Sequence, residues 1–161
     1  MMSECVEEPG IPYGEDFSQA EADRLIGIEK VRATDEIFVY PSAGKKLEIP
    51  LTSTDCRDEF ILSVVPGKIE IITTRNQLRT KNNTVLLRLD TGTKPHKNPD
   101  GQVLQCPHMH VFKEGYGIRY AWPLDTAVFT NCDDPFQTLQ NFMTYCNIQK
   151  KTHLTKGADQ W

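Results

Sequence analysis

The segment Val85-Leu86-Leu87-Arg88-Leu89-Asp90 decides how this chain is read. Val85, Leu87 and Leu89 fall on one side, and Leu86, Arg88 and Asp90 on the other, which is the two-residue period of a strand. The second side carries a guanidinium and a carboxylate, so it faces water or a site. Upstream, Ile37–Tyr40 ends at Pro41, and Leu47–Leu51 alternates after a Ser-Ala-Gly turn. Phe60–Val65 stops at the turn pair Pro66-Gly67. The β-branched run Lys68–Thr74 predicts one more strand, with Ile69 and Ile71 on one face and Glu70 and Ile72 on the other. The spacings are short and no helical segment intervenes. That predicts a meander of antiparallel strands rather than βαβ units.

Downstream lies a polar connection, Thr91 to about Cys106. Within it Asn98-Pro99-Asp100-Gly101 has type I turn chemistry: proline sets φ, the Asn and Asp side chains bond locally, and glycine follows. Connections longer than ~12–15 residues are usually functional or disordered, and these turn residues argue against disorder. Pro107–Lys113 resumes as a strand, with His108 and His110 on one face and Met109 and Val111 on the other. Gly115-Tyr116-Gly117 turns the chain into a further strand, Ile118–Pro123.

Two helices frame this sheet. Asp134, Pro135 and Gln137 make an N-terminal cap. Phe136, Leu139, Phe142, Met143 and Cys146 then form one apolar stripe at helical spacing, and Asn147 is the stop. Ser18-Gln19-Ala20-Glu21 is a capping box that opens a shorter helix to about Lys30, with Ala22, Leu25, Ile26 and Ile28 as its apolar positions. The expected architecture is α+β. A twisted, mainly antiparallel sheet of roughly five to seven strands carries the C-terminal helix on one face and a short N-terminal helix. Residues 18–148 form the domain. Residues 1–17 read as a flexible acidic arm and residues 149–161 as a polar, basic tail.

The totals agree with a packed domain. Hydrophobic residues make up 39% of the 161 and charged residues 25%, which a disordered chain would not show. No run approaches the ~18 apolar residues of a membrane span, and the acidic N-terminus lacks a secretory pattern. The five cysteines are odd in number, scattered, and free of any C-x-x-C, so reduced structural thiols in the cytoplasm are expected. Net charge is −4 but uneven. Residues 1–36 are rich in Asp and Glu, whereas Arg75, Arg79, Lys81, Arg88, Lys94 and Lys97 surround a single acid, Asp90. A basic block of this kind suits an anionic partner such as RNA, or forms a solvated sheet face.

Chemistry concentrates at His96, His108 and His110. If Val85–Asp90 pairs with Pro107–Lys113, Arg88 and Asp90 lie beside His108 and His110, with His96 above them. Imidazoles titrate near neutral pH, so one can take a proton from an attacking hydroxyl and another return one to the leaving group of a phosphodiester. Arg88, Arg79 or Lys94 would stabilise the phosphoryl charge. This is the lead reading: a toxin-like ribonuclease with His96, His108, His110, Arg88 and Asp90 as catalytic residues, no cofactor, and Arg75, Arg79, Lys81, Lys94 and Lys97 as nucleic-acid contacts. His108-x-His110-x3-Glu114 is also similar to the first metal motif of cupins. That resemblance implies a divalent transition metal on His108, His110 and Glu114, although the glycine is misplaced by one residue and no second histidine motif follows. The third reading is structural: the histidines bond Asp90 or Asp100 and order the loop, and the protein acts by binding a protein partner, as an inhibitor or defence-related factor would.

Read in order, several motifs resemble a family of small bacterial proteins classed as a domain of unknown function. They are Arg88-Leu89-Asp90, Pro95-His96-Lys97-Asn98-Pro99-Asp100-Gly101, Cys106-Pro107-His108-Met109-His110, Glu114-Gly115-Tyr116-Gly117, Ala121-Trp122-Pro123-Leu124 and Phe142-Met143-x-Tyr145-Cys146-Asn147-Ile148. The resemblance covers roughly Phe60 to Ile148. It implies a bacterial or phage-borne protein, alone or near mobile elements, and carries no assigned activity.

Overall fold

A computed structural model describes residues 17–68, 73–92, 94–149 and 154–156. Helix α1 is Gln19–Gly27. Ser18 Oγ accepts from the Glu21 amide at 3.1 Å, one half of the expected capping box. The other half is not made, because the Glu21 carboxylate pairs with Arg24 one turn on, at 2.8 Å. The Gln19 amide donates instead to Glu114 Oε1 at 2.9 Å. The helix stops at Gly27, short of Lys30, since Ile28 is already extended. Phe17, read as the end of the arm, packs edge-on against Phe112 with ring centroids 5.8 Å apart.

Eleven strands follow in the described residues: β1 (Lys30–Arg32), β2 (Phe38–Val39), β3 (Leu47–Ser53), β4 (Glu59–Pro66), β5 (Thr74–Thr80), β6 (Val85–Asp90), β7 (His96–Lys97), β8 (Val103–Leu104), β9 (His108–Val111), β10 (Ala121–Pro123) and β11 (Leu154–Thr155). Helix α2 (Pro135–Tyr145) lies between β10 and β11. A seven-stranded sheet runs in the order β1-β3-β4-β5-β6-β9-β10, and every pairing in it is antiparallel. The meander is interrupted twice: β2 leaves the sheet between β1 and β3, and β7 and β8 leave it as a small hairpin between β6 and β9.

The strand predicted over Lys68–Thr74 falls largely on residues 69–72, which lie outside the described residues. The strand that the structure shows here begins at Thr74 and reads TRNQLRT. Its polar composition hides it. Thr74, Asn76 and Leu78 are buried between β4 and β6, and Thr74 Oγ1 meets Tyr40 Oη and Asn76 Oδ1 at 3.4 Å each. A central strand tolerates such residues when most of their polar atoms find partners, although Asn76 Nδ2 is buried without one.

Alternate residues sort by face. Ile49, Leu51, Leu62, Val64, Leu78, Leu87, Leu89 and Met109 join Ala22 and Leu25 of α1 and Leu139, Phe142 and Met143 of α2 in one apolar core. Each of those side chains is at least nine-tenths buried, worth about 1.5–3 kcal/mol apiece for the larger ones. Asp134 Oδ1 accepts from the amides of Phe136 and Gln137 at 3.1 and 3.2 Å, and Asn147 ends the helix region with φ +57°. The predicted tail is ordered at Leu154–Thr155, where Leu154 packs on the core and β11 pairs in parallel with β2.

The long connection is fixed rather than loose. The Gly101 amide donates to Asn98 O at 2.9 Å, and Gly101 sits at φ +94°, a conformation open to glycine. The buried Asn98 side chain clamps Ala121 from both sides: Oδ1 accepts from its amide at 2.8 Å and Nδ2 donates to its carbonyl at 3.0 Å. The β7–β8 hairpin is thereby held against edge strand β10, over the polar face of the sheet.

Candidate active site

Strand register alone assembles the floor of the site. Across β5, β6 and β9, Arg75 stands opposite Asp90 and Asp90 opposite His108, while Arg88 stands opposite His110. Directly opposed side chains on one face sit within contact distance. His96 arrives from β7 above them. Its ring centroid is 4.6 Å from that of His110 and 5.8 Å from that of His108, and the His108 and His110 centroids are 5.0 Å apart. His108 and His110 are 2% and 1% exposed, and His96 is half-buried.

Each imidazole has one nitrogen fixed by a backbone carbonyl. His110 Nδ1 lies 2.7 Å from Ile118 O, His108 Nδ1 3.2 Å from Gln105 O, and His96 Nε2 2.7 Å from Arg119 O. A carbonyl oxygen only accepts, so these nitrogens carry protons. In the neutral rings His108 Nε2, His110 Nε2 and His96 Nδ1 therefore bear the lone pairs. The carbonyls of Ile118 and Arg119 stem from the Gly115–Gly117 turn region, and that of Gln105 from the end of the hairpin.

Asp90 is the shared counter-charge. Its Oδ2 is 3.4 Å from His110 Nε2, 3.6 Å from His108 Nε2 and 3.2 Å from an Arg88 terminal nitrogen. Its Oδ1 is 3.2 Å from Arg75 Nε. Burial pushes this carboxyl upward, but the hydrogen bond from His110, made when that ring also carries a proton on Nε2, and the charges of Arg88 and Arg75 outweigh that, and its pKa falls to about 2. The same Arg88 nitrogen lies 3.3 Å from His110 Nε2, so the guanidinium bridges carboxylate and imidazole. Burial, with smaller repulsion from His110 and His96, lowers the pKa of His108. The Gln105 carbonyl and Asp90 act in the opposite sense. Burial thus favours the neutral form of His108.

These groups line a cavity of about 870 Å³ together with Lys68, Lys94 and Cys106. Among the described residues four cations (Lys68, Arg75, Arg88 and Lys94) and one carboxylate line it, a balance that favours an anion. Cys106 is no thiolate nucleophile here: burial and then the Asp90 charge raise its pKa, and its Sγ donates to Lys94 O at 3.2 Å.

The five residues expected to act together, His96, His108, His110, Arg88 and Asp90, thus meet in one place. Of the expected nucleic-acid contacts, Arg75 and Lys94 are in the cavity wall. Arg79 and Lys81 are not: they pair with Glu48 at 3.0 Å, across β4 on β3, and with Glu59 at 3.1 Å on the adjacent β4. Lys97 is exposed on β7, outside the cavity wall. Glu114 does not join His108 and His110 as the cupin-like motif requires. Its carboxylate accepts from the N-terminal amide of α1, and the third oxygen beside the histidines is that of Asp90. Lys68 and Thr74 were missed as cavity residues, since Lys68–Thr74 reads as a β-branched strand rather than as the wall of a site.

A family model described as a family of unknown function (DUF6978) matches residues 17–148. No curated protein and no solved structure matches the chain. The matched span begins at Phe17, the residue packed on Phe112, and takes in both helices and every cavity residue. No helix among the described residues is long and apolar enough to cross a membrane.

Proposed function

We propose that this chain, which belongs to the DUF6978 family of unknown function, cleaves the phosphodiester backbone of RNA by histidine acid–base chemistry. The carrying observation is the sharing of one cavity by three imidazoles with fixed tautomers and, among the described residues, four cations and a single carboxylate. RNA supplies its own nucleophile next to the phosphate, the 2′-hydroxyl, so the protein need only move protons and hold charge.

His108, the neutral ring, takes the 2′-hydroxyl proton on Nε2. The 2′ oxygen attacks phosphorus and the P–O5′ bond breaks. His96, more open to the cavity, enters the step as the imidazolium and gives its Nδ1 proton to the departing 5′ oxygen. The products are a 2′,3′-cyclic phosphate and a 5′-hydroxyl end. The His96 and His108 centroids are 5.8 Å apart, so both rings stand at the same part of the cavity. Arg75, Arg88 and Lys94 meet the charge on the non-bridging oxygens. Asp90 balances whichever ring carries the proton, and His110 holds Asp90 and Arg88 in line.

The test is incubation of single-stranded RNA and a matched DNA with wild type, His96→Ala, His108→Ala and His110→Ala. Cleavage of the RNA alone, leaving cyclic phosphate ends and falling at least ~100-fold in the variants, supports the reading. Intact RNA with all four proteins, or cleavage that the substitutions leave unchanged, overturns it.

A further inference from the structure

We infer that Asp90, His108 and His110 also bind a divalent first-row transition metal ion of the Zn2+ or Co2+ class, and that the ion takes the place of the Arg88 guanidinium. One carboxylate oxygen and two imidazole nitrogens lie within 4.8 Å of one another. The two Nε2–Oδ2 separations, 3.6 and 3.4 Å, are close to the ~3.0–3.4 Å between neighbouring ligands that metal bonds of ~2.0–2.1 Å impose. Imidazole with carboxylate is a donor set suited to Zn, Co, Ni or Fe rather than to Mg or Ca.

The support behind the ligands is of the kind metal histidines have. His108 and His110 each give Nδ1–H to a backbone carbonyl, at 3.2 and 2.7 Å, which turns Nε2 and its lone pair toward Asp90. Arg75 bonds the other carboxylate oxygen, Oδ1, so Oδ2 stays available. The remaining coordination positions open on the cavity.

Arg88 marks the place of the ion. One of its terminal nitrogens touches Asp90 Oδ2 at 3.2 Å and His110 Nε2 at 3.3 Å, so a cation is already seated on two of the three ligands. Arg88 Nε is buried without a hydrogen-bond partner, and no bond there resists the side chain's withdrawal. A bound ion occupies the two Nε2 lone pairs and so blocks proton transfer. Only that last consequence rests on the cleavage reading; the binding itself does not.

The experiment uses the full chain, chelator-treated and reduced, titrated with Zn2+ by calorimetry and with Co2+ by visible absorption. One equivalent is expected, with bands of nitrogen and oxygen ligation and without thiolate charge transfer. Asp90→Asn keeps the side chain's shape and should weaken binding by roughly 10–100-fold. Arg88→Ala removes a competing cation and should tighten it by roughly tenfold or more. Circular dichroism confirms that both variants fold. Failure of Arg88→Ala to bind at millimolar metal, or affinities that both substitutions leave unchanged, overturns the inference. Arg88→Ala also separates the two readings, since it must weaken RNA cleavage while strengthening metal binding.

Discussion

Lys30 and the Asp90 group are both taken out of water, yet they are finished differently. The Lys30 ammonium is fully buried and donates to the carbonyls of Ile26, Ile28 and Cys146 at 2.8, 2.8 and 2.7 Å. Those carbonyls end α1 and α2, so a cation sits where both helix dipoles are negative. Three donors meet three acceptors, and Lys30 lines no part of the cavity. Burial lowers this amine's pKa to about 8 without leaving it a proton to trade. At Asp90 one carboxylate is shared by two arginines and two imidazoles, and the lone pairs left over converge beside the cavity. A buried charge whose bonds are all spent holds elements together. A set of ionisable groups with bonding capacity left, beside a space for a ligand, is where chemistry belongs.

Substitutions at the two places should therefore fail in different currencies. The largest expected effect is on turnover: His96→Ala or His108→Ala lowers RNA cleavage by roughly 10²–10⁴-fold, whereas Lys30→Met leaves the rate per folded molecule unchanged. Single-turnover cleavage by folded protein reads this directly, and a Lys30→Met rate lowered as far as the histidine variants would erase the distinction. Next comes stability. Lys30→Met strands three carbonyls and should cost about 3 kcal/mol in urea unfolding. A cost under ~0.5 kcal/mol would mean that the ammonium knot does not join the helices.

Smaller effects sharpen the contrast. Arg75 is about half exposed, so Arg75→Ala should change stability by less than ~1 kcal/mol. It should nevertheless raise the RNA KM several-fold, because the cavity loses one of four cations. The smallest effect is in pH. His108 titrates below the ordinary imidazole value of 6.5, so cleavage should persist as pH falls through 6.5 and be lost only below it. Asp90 favours the protonated ring, so Asp90→Asn should move that acid limb lower still, by under ~1 pH unit. A limb that moves upward would show that Asp90 does not act on the base.

Much of the site was legible because it rests on short-range rules. The period of Val85–Asp90 and of His108–Val111 fixed which side chains share a face, and antiparallel pairing of successive sheet strands did the rest. The Asn98–Gly101 turn announced that the long connection was built. What stayed hidden depends on partners far along the chain. Strand β5 is polar because it is central and hydrogen-bonded on both sides. Lys30 looked like the end of a helix, and nothing nearby signals that a carbonyl 116 residues away receives its proton. Glu114 looked like a metal ligand, yet it caps α1. The carbonyls that set the three histidine tautomers belong to residues of no special type.

Composition, strand period and turn chemistry thus determined the α+β class, the antiparallel sheet and the face on which the histidines lie, since each follows from contacts between near neighbours in the chain. Only the tertiary structure decided which cations reach the cavity, which carboxylate serves the histidines and which nitrogens keep their lone pairs. Those outcomes are set by strand register and by backbone carbonyls brought in from elsewhere, and a carbonyl carries no mark in a sequence.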